Sequence, residues 1–178
     1  MLDLLTDRRS ETFAGQVYRA TGTGYDPTIF SAAGGRWMRR DGMSVLYTSI
    51  EREGALAEMS FRLGMLTPVP SKPIVLHRLE VKARKMIRIS KPDFHALNID
   101  PSRYGDLDYL RTQEIGEAIA FLEFDAMLVP SARWPCDNLV LLGDHQELAT
   151  SPTVLESEQV EWIPWAKANG FLDDDEPA

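Results

Sequence analysis

Apolar residues recur along this chain with two different periods, and the alternation between them predicts most of its elements. Short runs rich in aliphatic, β-branched or aromatic residues at 16–20, 44–47, 74–81, 86–89, 126–129 and 138–142 predict strands. Apolar positions spaced three or four apart predict helices from about Ser49 to Phe61, over 109–121, and over 158–169 with Trp162 and Trp165 on it. The run 126–129 is apolar throughout, as a central strand covered on both faces is, and 138–142, apolar after Asn138, reads as one more buried strand. In Gln16-Val17-Tyr18-Arg19-Ala20 the strand period puts Arg19 on one face with Val17 and Thr21.

Between these segments lie breakers. Residues 1–12 read as a short helical lead-in, and Lys82, Arg84 and Lys85 as a basic turn between two strands. The stretch 22–35 carries four glycines and one proline and predicts a tightly folded loop. Asp41-Gly42 predicts a tight turn, and Pro68, Pro70 and Pro73 end the first long helix. Lys91-Pro92-Asp93 and Asp100-Pro101-Ser102 are turn or helix-start signals. Gly170 marks a stop, and the acidic end, 173–178, reads as a solvated, disordered tail. Many strands with interspersed helices predict a single α+β domain of short, mixed or antiparallel strands, spanning 1–178.

The stretch 46–59 is the most informative. A strand ending near Tyr47 runs into a helix, and Thr48 followed by Glu51 fits a capping box, so the helix is expected to begin near Ser49. Ile50, Gly54, Ala57 and Phe61 form one stripe, and Glu58 sits at its border. Two readings stand: a surface glutamate with a buried stem, or a carboxylate facing a space left open by Gly54, Ala55 and Ala57.

Other residues carry chemistry by type. Gly34-Gly35-Arg36-Trp37 places a guanidinium beside a large aromatic after two permissive residues, which suits an anion grip or a structural clamp equally. Ser131 and Arg133 follow the strand 126–129. Ser131 lacks the Gly-x-Ser-x-Gly setting, so a hydrolase triad with His145 has no support; a turn hydroxyl is the plainer reading. Gly22-Thr23-Gly24 lacks the third glycine of a dinucleotide fingerprint.

Composition narrows the class. The chain has 178 residues, 44% hydrophobic and 26% charged, enough for one full core. No apolar run approaches bilayer length and the first residues do not form a secretory signal, so a cytoplasmic protein is expected, with no membrane contact. Cys136 stands alone, which fits a reducing compartment. His77, His95 and His145 share no ligand spacing, so no metal is expected. A net charge of −8 argues against direct binding to nucleic acid and toward a small substrate or a protein partner.

Taken in order, Tyr18-Arg19-Ala20, Gly34-Gly35-Arg36-Trp37, Leu46-Tyr47-Thr48-Ser49, Ala55-Leu56-Ala57-Glu58, and Val129-Pro130-Ser131-Ala132-Arg133 with Asn138-Leu139-Val140 resemble the RES domain family. The resemblance covers about 16–142. It departs at Met38-Arg39-Arg40, where the family tends to place an asparagine and a proline.

The resemblance implies a fold like that of ADP-ribosyltransferases and the toxin of a type II toxin–antitoxin pair acting on NAD. NAD is then a substrate, not a resident cofactor, and inorganic phosphate is a possible co-substrate. The implied partner is an Xre-like helix-turn-helix antitoxin that covers the active site, with DNA reached only through it. On this view Glu58 serves the ribose and its oxocarbenium-like transition state, with Arg19 and Ser131 as the other catalytic candidates. Arg19 and Arg36 hold phosphates, Tyr47 faces the nicotinamide, Ser131 bonds the nucleotide, and Tyr18, Arg133 and Asn138 complete the binding set. Two other readings stay open: a protein-directed mono-ADP-ribosyltransferase, and a non-enzymatic module presenting Trp162, Trp165 and the proline-broken stretch.

Overall fold

The structure is a computed structural model and describes residues 2–143 and 151–173. His145 and residues 174–178 of the expected acidic tail lie outside the described residues. A short helix, α1 (Leu2–Thr6), leads into β1 (Glu11–Gly22), followed by β2 (Val45–Ser49) and α2 (Arg52–Gly64). Then come β3 (Ile74–Arg88), α3 (Leu110–Phe121), β4 (Ala126–Pro130), β5 (Asp137–Leu142), β6 (Thr153–Val160) and α4 (Trp162–Ala168). The two proline-led signals become single 3₁₀ turns at Lys91–Asp93 and Pro101–Arg103, the first closed by a capping box between Ser90 and Asp93.

Three expectations about elements change. The basic turn at 82–85 does not exist: β3 runs 15 residues without interruption. Glu80, Lys82 and Arg84 are the exposed half of an alternating strand whose other half, Val81 and Ala83, is buried, so the charge marks a face and not a break. The capping box at Thr48 is not formed either. Thr48 stays in β2, where its buried hydroxyl donates to the Leu139 carbonyl at 2.7 Å, and Glu51 becomes the N-cap without a side-chain bond. Strand pairing thus claimed the hydroxyl first.

Third, β6 was not expected, and its last residues lie inside the predicted helix 158–169, which shrinks to Trp162–Ala168. Nearly every residue of β6 is exposed, so no apolar face announces it. Pairing with β3 holds it at the sheet edge, and Arg78–Glu156 (2.9 Å) and Arg52–Glu158 (2.7 Å) tie it down.

The strand order is β1-β2-β5-β4-β3-β6, and β1 also pairs with β3. The first five strands therefore curl into a ring whose loosest seam is the single pair Tyr18↔Ser49 between β1 and β2. Among the described strands only β3 and β4 run parallel. Val17, Leu46, Leu79, Leu128, Leu139 and Leu141 form one core cluster from the inward-facing positions. On the other face, Ile115 and Ile119 of α3 pack with Met127 and Val140, while Leu56 of α2 and Trp162 of α4 pack with Leu76. The molecule is a mixed α+β domain with helices flanking one curled sheet.

Gly116 of α3 marks close packing: a Cβ there would strike the Trp37 carbonyl. Leu110, at the start of α3, is exposed, and Thr112 is buried.

Candidate functional site

Glu58 does not snorkel from the surface. It lies half-buried on α2, and its Oε1 accepts two hydrogen bonds, from Ser131 Oγ at 2.8 Å and Asn138 Nδ2 at 2.9 Å. The donors arrive together because β4 and β5 are adjacent: Val129 pairs with Asn138, and Ser131 is the second residue beyond Val129. Asn138 pairs on its other side with Ser49 at the end of β2. The ends of three strands thus meet under one helix.

Ser131 takes the turn role that the sequence allowed and also donates to Glu58. Its oxygen accepts from the N–H groups of Arg133 (3.1 Å) and Trp134 (3.2 Å), closing the turn after β4, while its proton goes to Glu58. A carboxylate oxygen with two donors is held in one orientation, and charge-assisted bonds of this kind are stronger than neutral ones.

The open space expected beside Gly54, Ala55 and Ala57 is absent. A Cβ on Gly54 would collide with Ser49 Oγ, and Ala55 and Ala57 are buried. The small residues let α2 sit close on the end of β2, where Ser49 Oγ lies 3.3 Å from Cys136 Sγ.

Arg133 reaches over the ring of Phe61, one turn beyond Glu58 on α2, at 3.3 Å from its centroid. Burial, and then the neighbouring Arg36 guanidinium, lower the pKa of Arg133, with Glu58 opposing. Its Nη2 is buried with no hydrogen-bond partner among the described residues. Arg133 thus sits between a second guanidinium and the Glu58 carboxylate, and two like charges held close together suit an anion.

Arg36 lies between two tyrosine rings, 4.8 Å from the centroid of Tyr104 and 4.6 Å from that of Tyr109, and donates to the Asp106 carbonyl at 3.3 Å. Its expected aromatic neighbour, Trp37, is instead a core residue at 2% exposure. Tyr104 is fixed in turn, since its hydroxyl donates to the Pro130 carbonyl at 2.7 Å; burial, chiefly, raises its pKa. Beside Arg36 opens a cleft of about 270 Å³ bordered by Tyr104, Arg103, Asp108, Arg111 and Glu114.

Tyr47 braces this loop. Its hydroxyl accepts from the Trp37 N–H at 3.1 Å, and burial pushes the phenol up to about 12. Gly34 has φ +80°, and a side chain on Gly35 would meet the Tyr47 ring, so both glycines are required by the approach.

Tyr18 and Arg19 point to opposite faces of β1. Tyr18 packs beside Leu56 and Met59 on the α2 side. Arg19 shares the face of Val17, near Asp26 and His77, with a long 3.5 Å bond to the Ile29 carbonyl. Burial lowers its pKa, and Asp26 opposes the shift. Among the described residues no hydrogen bond joins Arg19 to Glu58, Ser131 or Asn138.

The structure thus brings together Glu58, Ser131, Asn138, Arg133, Arg36 and, behind them, Tyr47. Phe61, Tyr104 and Tyr109 complete the setting; the sequence placed Phe61 and Tyr109 in predicted helices without a role at the site, and Tyr104 in a loop-rich stretch without periodicity. Among the described residues no cluster of three or more His, Cys, Asp or Glu could hold a metal ion, and no helix is long and apolar enough to cross a membrane.

No curated protein matches the chain. By structure it is similar to a chain of the M. tuberculosis MbcT–MbcA toxin–antitoxin complex, with a TM-score of 0.81 at 17% identity, over 95% of this chain and 96% of that one. A family model described as the RES domain matches residues 16–165, past the last motif-bearing strand and through β6 into α4. Matched over most of its length, the chain belongs to the RES domain family.

Proposed function

We propose that this protein is the toxin of a toxin–antitoxin pair and consumes NAD by cleaving the bond between nicotinamide and ribose. The observation that carries the reading is the Glu58 carboxylate, fixed through Oε1 by Ser131 and Asn138, with Arg133 close by and Arg36 next to Arg133. Cleavage of this bond builds positive charge on the ribose while nicotinamide departs with the bonding electron pair as a neutral ring. A general acid is not needed for such a leaving group; a fixed negative charge near the sugar is.

In this reading Glu58 stabilises the oxocarbenium-like ribose and orients its hydroxyls. Arg36 and Arg133 hold the pyrophosphate or, in phosphorolysis, the incoming phosphate whose oxygen forms the new bond to ribose as nicotinamide leaves. Ser131 and Asn138 hold Glu58, and Tyr47 acts through the Arg36 loop it braces. Arg19 and Tyr18 remain assigned to substrate, with Arg19 acting from the neighbouring face of β1. A sheet curled toward closure with helices on one face is compatible with the ADP-ribosyltransferase likeness that the family resemblance implies. The similar fold found in a toxin–antitoxin complex supports an antitoxin partner, assigned here as an Xre-like protein covering the site.

The test is nicotinamide release from NAD by the purified chain, with and without phosphate, beside Glu58→Gln. Glutamine keeps an oxygen that accepts from Ser131 and Asn138, so the fold should survive and only the charge is lost. Release abolished in the variant supports the reading, and dependence on phosphate selects phosphorolysis over hydrolysis. Equal release by both proteins ends the assignment of Glu58. An ADP-ribose adduct on a protein in place of free product would redirect the reading to a transferase.

A further inference from the structure

We infer that Thr112 and Gln113, in the first turn of α3, are positioning residues that fix Arg36 by gripping the backbone on either side of it. The inference rests on the reading of Arg36 as a substrate-binding group.

Arg36 sits in a turn with no regular structure, where a long side chain would ordinarily sample many rotamers and lose about 2 kcal/mol of freedom on being held. Successive peptide groups of the turn are nevertheless engaged. Gln113 Nε2 donates to the Gly35 carbonyl at 3.0 Å, Thr112 Oγ1 donates to the Arg36 carbonyl at 2.6 Å, and the Trp37 N–H donates to Tyr47 at 3.1 Å. The Gly35 N–H closes the turn onto the Met38 carbonyl at 2.8 Å. Gly116, one turn along α3, lets the Trp37 carbonyl come within reach of the helix.

Thr112 has a local alternative, the Tyr109 carbonyl three residues back, at 3.0 Å. The shorter contact is to Arg36, and Thr112 is 5% exposed, so its proton has no competing water. The same hydroxyl therefore touches the backbone of Arg36 and that of Tyr109, whose ring carries the guanidinium. An ordinary helical threonine would bond only its own preceding turn. Here α3 is a bracket that sets guanidinium, tyrosine ring and turn in one geometry before substrate arrives.

The test compares Thr112→Val, which keeps shape and removes the hydroxyl, with Thr112→Ser, which restores it, and with Gln113→Leu. Amide exchange of a peptide covering residues 34–40 is measured first, without substrate. Thr112→Val should raise exchange there about tenfold, with Thr112→Ser near wild type. Unchanged exchange in both Thr112→Val and Gln113→Leu overturns the bracket, whatever the protein's activity. In the nicotinamide-release assay Thr112→Val should raise the KM for NAD about tenfold with kcat little changed, and should add nothing in an Arg36→Ala background. A full, additive loss in that background would mean that Thr112 acts apart from Arg36 and also overturns the proposal. If the wild-type chain released no nicotinamide, the functional reading would fail while the exchange data still judged the bracket.

Discussion

Arg36 and Arg19 occupy two regions that the sequence treats alike and the fold does not. Both are half-buried arginines in motifs of the same resemblance. Arg36 hangs from an irregular turn, yet it is sandwiched by Tyr104 and Tyr109, bracketed by α3, and close enough to Arg133 to lower its pKa. Arg19 stands on a regular 12-residue strand, but its surroundings are Asp26, His77 and a long bond to Ile29. Regular backbone decides which face a side chain takes, whereas preorganisation comes from what closes around it. The loop arginine is the better prepared of the two.

The strongest way to break this comparison is to remove the charge on which the first region converges. Glu58→Gln should lower turnover by about 10²–10³-fold with NAD affinity changed only a few-fold, measured by nicotinamide release and by equilibrium binding. An equal loss in affinity would make Glu58 a binding group only.

Next comes the pair of arginines themselves. Arg36→Ala should raise the KM for NAD by about 10–100-fold. Arg19→Lys, which keeps the charge beside Asp26 and loses the planar fork, should reduce kcat/KM by less, about tenfold. The opposite order, read from the same steady-state assay, would shift the anion site from the tyrosine-lined turn to β1.

Smaller effects should follow at the donors to Glu58. Asn138→Ala removes one bond to Oε1 and should cost about tenfold in kcat. Ser131→Ala should cost a similar factor and also lower the melting temperature, because the N–H groups of Arg133 and Trp134 lose their acceptor, at roughly 1–3 kcal/mol for an unsatisfied buried donor. If Ser131→Ala melts like wild type, the turn after β4 does not depend on the hydroxyl.

The mildest test probes the Arg19 side. His77 is buried, and its ring nitrogens lie 2.9 Å from Thr21 Oγ1 and 2.8 Å from Ser157 Oγ; burial, and then Arg19, hold its pKa below the ordinary 6.5. The folded protein therefore takes up this proton less readily than the unfolded chain. The stability contribution is intact above the unfolded value and declines as pH falls through that value toward the lowered folded one. Thermal melts across that window should show the decline, and His77→Gln should flatten it. An unchanged slope would remove His77 from the account.

Much of the fold was legible because burial leaves a period. The alternation in β1 placed Arg19 with Val17 and Thr21; the apolar runs marked β4 and β5; Gly170 was read as a stop. The legible part failed where charge imitated structure. Lys82, Arg84 and Lys85 looked like a turn and lie in unbroken β3, with Lys82 and Arg84 on its exposed face, while β6, almost wholly exposed, leaves no period to find. At the site, residue types and order singled out Glu58, Ser131, Asn138, Arg36 and Arg133, the polar groups now found together.

What the sequence by itself determined was therefore the set of elements with a covered face and the residues able to carry the chemistry. Only the tertiary structure decided that Thr48 would bond across to Leu139 and delay α2, that Gly54 would close a space and not open one, and that Tyr104 and Tyr109 would enclose Arg36. Each of these depends on which distant strand or loop lies opposite. Hydrogen bonds and ring contacts act over a few ångströms across tens of residues of chain, and local periodicity carries no record of such partners.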